Sequence, residues 1–160
     1  MRQVLTSGLL WFSALGCGLM AGVYFAFSTF IMTALGRFDQ AAGIAAMNAI
    51  NVDIVRSLFM PLFLGTTVAS AALVVMGALR LSEPGSASMV AGGCLYVIGM
   101  FVVTMAFNVP LNNALAAVQP SAPEAGAAWA AYLKDWVFWN HVRTVASLVA
   151  SALFIVVLAA

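Results

Sequence analysis

The sequence predicts an all-α integral membrane protein, a four-helix up-down bundle with short interfacial helices. Three observations predict it. The first is scarcity of charge: the 160 residues are 64% hydrophobic and 7% charged, with a mean hydropathy of +1.08. A soluble domain carries about 25% charged residues. Six Lys and Arg against five Asp and Glu cannot clothe a water-facing surface, nor supply the basic stripe of a nucleic-acid binder. The second is the spacing of those charges. Residues 3–36, 57–79, 84–123 and 144–160 carry none; three of these stretches exceed the ~20 residues of a bilayer crossing and the fourth comes close. The third is the shortness of the connections, which makes successive spans antiparallel neighbours. The expectation is a single four-span transmembrane domain over residues 1–160, multi-pass in its membrane and in contact with lipid.

The first span is expected at about residues 5–35. Arg2 and the apolar run after it also read as a signal peptide, and Ala14-Leu15-Gly16-Cys17 approaches a lipoprotein cleavage site. Hydrophobicity continues for a dozen residues past Cys17 and no A-x-A site closes it, so an uncleaved span is expected. The second span is expected at about 57–79 and the third at about 87–107. Beyond 107 the chain is rich in Asn, Pro and Gln and reads as a loop. The fourth is expected at about 138–160. Cys17 and Cys94 fall at mid-span in different helices, outside any C-x-x-C or metal pattern, and read as small packing residues. Gly18 and Gly22 form a GxxxG, and Gly92, Gly93 and Gly99 lighten the third span. Such residues let helices approach closely in lipid, inside one bundle or across a homo-oligomer interface.

Position is the informative property of the polar residues. Three clusters fall on the face shared by the end of span 1, the start of span 2, the end of span 3 and the start of span 4. They are Asn48, Asn51, Asp53 and Arg56; Asn108, Asn112 and Asn113 around Pro110; and Lys134 to Thr144, with Trp136, Trp139, Asn140, His141 and Arg143. The opposite face offers Arg2, Arg80, Glu83 and a few serines. Seventeen residues follow Arg143, so a ~20-residue crossing takes Arg143, and with it His141, below the membrane surface. Two accounts stand. Arg143 snorkels to the headgroups, with Trp136 and Trp139 in an aromatic belt; or His141 and Arg143 point into the bundle, where intramembrane ionisable groups usually face. Asn140, Thr144, Ser147 and Ser151 recur at helical spacing as a polar stripe.

Pro110 lacks an N–H, so a break is expected near Ala106, with Val109 extended and Asn108 free to satisfy loosened backbone or a ligand. Ser121 and Glu124 read as a capping box opening an interfacial segment that carries Trp129, Tyr132 or Leu133, Trp136 and Trp139 at helical spacing. Those aromatics suit a lipid anchor or a lid over a flat ligand. Phe27 to Leu35 resembles Phe107 to Leu115, and Val55-Arg56-Ser57 resembles Val142-Arg143-Thr144. A repeat of the two hairpins would set Arg56 and Arg143 about a central cavity.

Four segments together resemble the anthrone oxygenase-like membrane family, long catalogued as a domain of unknown function. They are Gly18 to Phe30 with Tyr24, Asn48 to Arg56, Phe107 to Asn113, and Trp136-x-x-Trp139-Asn140-His141-Val142-Arg143. The resemblance implies O2-dependent oxidation of an anthrone or another enolisable aromatic polyketide, without a cofactor. The partners it implies are a hydrophobic small molecule and O2. Such chemistry needs a base to form a carbanion and donors to hold the enolate; a histidine suits the first task, an Arg and amides the second. By the matching motifs His141 is the expected base and Arg143 or Arg56 stands near the enolate. Asn108, Asn112 and Asn140 orient substrate, and Asn51, Tyr24 and Trp139 are further substrate contacts. No metal site is expected. The alternatives are a non-catalytic membrane protein and a quinone- or haem-binding four-helix bundle. A proton-coupled transporter would bury an acid in its spans, and no span interior holds one. Arg37, Arg56, Lys134 and Arg143 on the crowded face, against Arg2 and Arg80 opposite, favour a cytoplasmic crowded face.

Overall fold

The computed structural model describes residues 2–159, with side chains from Val4 onward, so the side chain of Arg2 lies outside the described residues. Among the described residues the fold is all helical. Four helices are long and apolar enough to cross a membrane: α1 (Val4–Leu35), α3 (Phe59–Ala78), α4 (Ser86–Ala116) and α5 (Ala125–Ala159). A further helix, α2 (Gln40–Arg56), precedes α3. Asp39 starts α2 by accepting the Ala42 N–H at 3.0 Å. α1 packs on α5 and α3, and α4 packs on α3 and α5. Neighbours in sequence are therefore neighbours around the ring, closed by α1 against α5. The outer surface is apolar, with Trp11, Leu15, Leu19, Phe30, Val68, Ile98, Val145 and Ile155 all exposed, as a lipid-facing surface requires.

At 1.5 Å per residue α1, α4 and α5 are each about 47–52 Å long, against about 30 Å of hydrocarbon. α3 alone matches the bilayer. α2 makes up the difference. Gln40 lies against Gly126 at the start of α5, and Gly43 against Trp129. α2 thus runs back towards the membrane and α3 continues the path, so the second arm of the bundle is one long helix broken at Ser57. The cause is local. Pro61 has no N–H for the Ser57 carbonyl, and its ring crowds that oxygen. Ser57 is extended (φ −94°, ψ 175°). Its hydroxyl donates to the Ile54 carbonyl at 2.8 Å and accepts the Phe59 N–H at 3.1 Å, capping both fragments.

Two apolar clusters result. One fills the membrane half, with Leu10, Cys17, Met20, Tyr24, Phe63, Leu73, Tyr96, Met100 and Phe154. The other fills the half beyond the break, with Met32, Leu35, Ile44, Met47, Leu115, Trp129, Tyr132 and Trp136.

Several sequence expectations change here. The third helix does not end near 107 or break at Pro110; it runs to Ala116, and Val109 is helical (φ −64°, ψ −47°). Widened π-helical turns over Thr104–Asn108 shift the bonding register before the proline, which leaves its ring room beside the preceding turn. Helix α5 starts at Ala125 rather than at a Ser121 cap, and runs unbroken into the span. Trp129, Tyr132 and Trp136 are consequently not a lipid anchor; all three are buried, and Trp136 lines a cavity. Their rings form a ladder, at 5.7 Å between the first two and 6.1 Å between the last two. Gly22 is exposed with open space around it and Gly18 meets only Ser151 Oγ at ordinary contact distance, while Gly16 meets Thr66, Gly92 meets Phe154, Gly93 meets α3 and Gly99 meets Ala146, so the close approaches use the third-span glycines and Gly16 rather than the GxxxG pair.

A Cβ on Gly43 would lie 2.8 Å from the Trp129 ring. Gly43→Leu should cost about 1–3 kcal/mol and lower the thermal unfolding midpoint in detergent. Gly22→Ala should leave that midpoint unchanged or raise it slightly.

Candidate functional site

A cavity of about 170 Å³ lies where the broken arm meets the other helices. The end of α2 and start of α3 form one wall, with Met47, Ile50, Asn51, Ile54, Phe59 and Phe63; Tyr24 and Phe27 close it from α1, Thr104 and Asn112 from α4, and Trp136 and Arg143 from α5. Exposed Val23, Val55 and Met105 stand at its margin. Discontinuous helices are a recurrent way to place polar groups at membrane depth, because the freed backbone and the gap both face protein.

Arg143 is the charged group of this cavity. It lies nine residues along α5 from exposed Lys134, which is about 13 Å deeper, and it is 5% exposed. Its Nη2 donates to Asn140 Oδ1 at 2.5 Å and its Nη1 to Thr104 Oγ1 at 3.3 Å. Nε is buried with no partner. The guanidinium carbon sits 4.3 Å from the Tyr24 ring centroid and 5.2 Å from that of Trp136, near enough for cation–π attraction. No carboxylate reaches it: among the described residues the one ion pair is Arg80–Glu83, at 3.7 Å. Asn140 fixes the arrangement, donating through Nδ2 to the Tyr24 carbonyl at 2.7 Å and to Ser28 Oγ at 2.6 Å.

A second polar group sits at the α2 end. Asn112 Oδ1 accepts the Tyr132 O–H at 2.9 Å. Asn51 Nδ2 is buried without a well-formed hydrogen bond, its polar neighbour being the Tyr132 hydroxyl.

Of the residues expected from sequence, Tyr24, Asn51, Asn112 and Arg143 meet in the cavity. Asn140 lies behind Arg143 and holds it. Asn108 is buried outside the lining, its Nδ2 donating to the Trp136 carbonyl at 3.3 Å, where it ties α4 to α5. Trp139 is stacked on Phe107, centroids 3.6 Å apart, away from the cavity. Arg56 is exposed at the end of α2, so the symmetry of Arg56 with Arg143 about a central cavity is not realised. His141 is exposed on the outer side of α5. The expectation that His141 and Arg143 both point inward fails for His141 because residues two apart are separated by about 200° around a helix.

Sequence reasoning passed over Thr104 as a cavity residue and offered Trp136 only as one of several anchor or lid aromatics. Trp136 lies seven residues before Arg143, two turns along the same face, which was the available signal. Pro61 was the signal for the gap itself.

A family model described as "Anthrone oxygenase" matches residues 55–153. That segment spans α3, α4 and α5 as far as Leu153, and includes Thr104, Asn112, Asn140 and Arg143. No curated protein and no solved structure matches the chain.

Asn140→Ala should leave the Arg143 guanidinium short of an acceptor and two α1 groups short of a donor. A loss of about 1–3 kcal/mol follows, to be read as a lower unfolding midpoint in detergent. A midpoint equal to wild type would mean that Asn140 does not hold the site.

Proposed function

The chain belongs to the anthrone oxygenase family, and from that premise we propose that it oxidises an anthrone-like, enolisable aromatic at the α2–α3 break, with Arg143 holding the enolate oxygen. The observation that carries this reading is a buried guanidinium facing an apolar cavity with no carboxylate to neutralise it. Such a group favours any ligand that can present an oxygen anion, and in a site of low dielectric that preference is strong.

The chemistry balances as follows. The substrate loses one proton to give an enolate whose oxygen accepts from the Arg143 guanidinium, which Thr104 holds by accepting from Nη1. The electron-rich ring carbon transfers its electron pair to O2, forming a carbon–oxygen bond. Carbon is oxidised and O2 is reduced to a bound peroxide, which takes up a proton. Loss of the remaining C–H proton from that carbon expels hydroxide as the O–O bond breaks, and hydroxide with a proton leaves as water. One anthrone and one O2 give one anthraquinone and one water.

Arg143 makes the anion the favoured form, so the first proton can pass to water at the cavity mouth. Among the described residues the lining contains no carboxylate and no imidazole. Tyr24 and Trp136 offer flat faces to an aromatic substrate. His141 has no part in this scheme.

Membranes holding the protein should consume O2 when given anthrone and yield anthraquinone. Arg143→Met should lower kcat/KM by about 10²–10³-fold with only a modest fall in unfolding midpoint, since it strands the Asn140 Oδ1 acceptor at about 1–3 kcal/mol but also removes the cost of burying a cation. His141→Ala should keep wild-type turnover. Wild-type turnover in Arg143→Met would overturn the assignment, and an absence of O2 uptake by the wild type would leave a non-catalytic binding protein.

A further inference from the structure

The cavity has two polar ends, and a ligand with one oxygen satisfies one of them. At the α5 end stands Arg143, with its unpartnered Nε, held by Thr104, whose own hydroxyl is given to the Met100 carbonyl. At the α2 end stand Asn51, whose buried Nδ2 lacks a well-formed hydrogen bond, and Asn112, whose Oδ1 is taken by Tyr132 and whose Nδ2 remains to donate. Both ends therefore offer N–H donors, and both call for acceptors. The walls between them are apolar and aromatic: Phe27, Met47, Ile54, Phe59 and Trp136.

The spacing limits what fits. Thr104 and Asn112 are eight residues apart on α4, about 12 Å along its axis. The two polar ends therefore lie about two helical turns apart, with room between them for a six-membered ring carrying an oxygen on each of two opposite edges. The cavity volume of about 170 Å³ is close to the ~150 Å³ cavity that takes one benzene ring, and the cavity opens past Val23, Val55 and Met105, where fused rings extend.

We propose that this is a para-quinone site, in which Asn51 and Asn112 receive the second ring oxygen. The proposal rests on the reading that Arg143 holds the first oxygen. An anthrone leaves the Asn51 end unsatisfied until its far carbon is oxidised, and the new carbonyl then meets the waiting amides. The quinone product is consequently held more tightly than the substrate and inhibits turnover. Any other para-quinone dissolved in the bilayer competes for the same place.

The test is equilibrium binding to purified protein in detergent, without O2, followed by the fluorescence of the wall residue Trp136 and its fellow tryptophans. The probes are anthracene, anthrone and 9,10-anthraquinone, which carry no, one and two oxygens. Affinity should rise along the series, with anthraquinone about 3- to 10-fold tighter than anthrone, as one added hydrogen bond allows. Asn51→Leu should bring anthraquinone down to the anthrone value and leave anthrone unchanged. Equal wild-type affinities for anthrone and anthraquinone would overturn the proposal even if the variant failed to fold, and so would an undiminished preference in a folded Asn51→Leu. Anthrone turnover without a quinone preference removes this proposal alone. A quinone preference without turnover removes the oxygenase reading and leaves the quinone site.

Discussion

Holding one guanidinium inside the helix bundle is the constraint on which this structure depends. Even at the centre of a membrane helix an Arg costs about 2.5–3.5 kcal/mol by insertion scales, and this one lies at the level of the α2–α3 break, where α3 begins. Two hydrogen bonds from a charged donor, at about 1.5–3 kcal/mol each, are sufficient to offset it, and the Tyr24 and Trp136 faces add to them. Those partners come from three different helices. Asn140 lies on α5 itself but is anchored to the Tyr24 carbonyl and Ser28 on α1, and Thr104 is anchored to the Met100 carbonyl on α4. The charge is thus stable only when α1, α4 and α5 are assembled. The identity of the central partner matters. An Asp in place of Asn140 would supply the same acceptor and also cancel the charge. A neutral amide supports the cation and leaves its field available to a ligand.

The cavity follows from a second constraint, the mismatch of helix lengths. Three arms of about 50 Å surround a fourth that Pro61 forbids to be continuous. Packing on either side of the break is dense: rings stack from Trp129 through Tyr132 to Trp136 on one side, and Phe59, Phe63 and Phe101 pack together on the other. At the break itself neither cluster closes the space, and the cavity occupies that level. The π-helical turns of α1 (Phe27–Ile31) and of α4 (Thr104–Asn108) lie at the same level. A π turn rotates the residues after it relative to an α-helix. Phe27 and Thr104, which open these two turns, both line the cavity.

The sequence made the membrane spans legible because charge is so scarce that its spacing outlines them. It also made the polar face legible: Asn51, Asn112 and Arg143 converge although they are far apart in the chain. What it hid was rotational and local. Arg143 and His141 are equal as sequence features, and only the turn of the helix separates an inward group from an outward one. Pro110 and Pro61 are equal as helix breakers, yet α4 absorbs the first through a widened turn while the second arm breaks at Ser57. No rule on proline alone distinguishes them; the difference lies in whether neighbouring turns can change their bonding register. The aromatic ladder was misassigned to the headgroups because a Trp-rich stretch beside a span has the same composition whether its partner is lipid or α2.

The distribution of the site over the chain bears on how one scaffold could treat different substrates. The segment matched by the family model carries the cation, its two hydrogen-bond partners Thr104 and Asn140, and Asn112. Tyr24 and Asn51 come from α1 and α2, outside that segment. Stabilising an oxygen anion needs only the first set. The shape of the ring face and the reach of the second polar end depend on the other two residues. α2 is joined to α3 through the single extended residue Ser57, so substitutions on α2 can alter the wall of the cavity without moving the guanidinium. On the proposed reading, the hydrogen bonds to the cation and the α2 wall that would meet a ligand are thereby carried by separate parts of the fold, with Tyr24 shared between them.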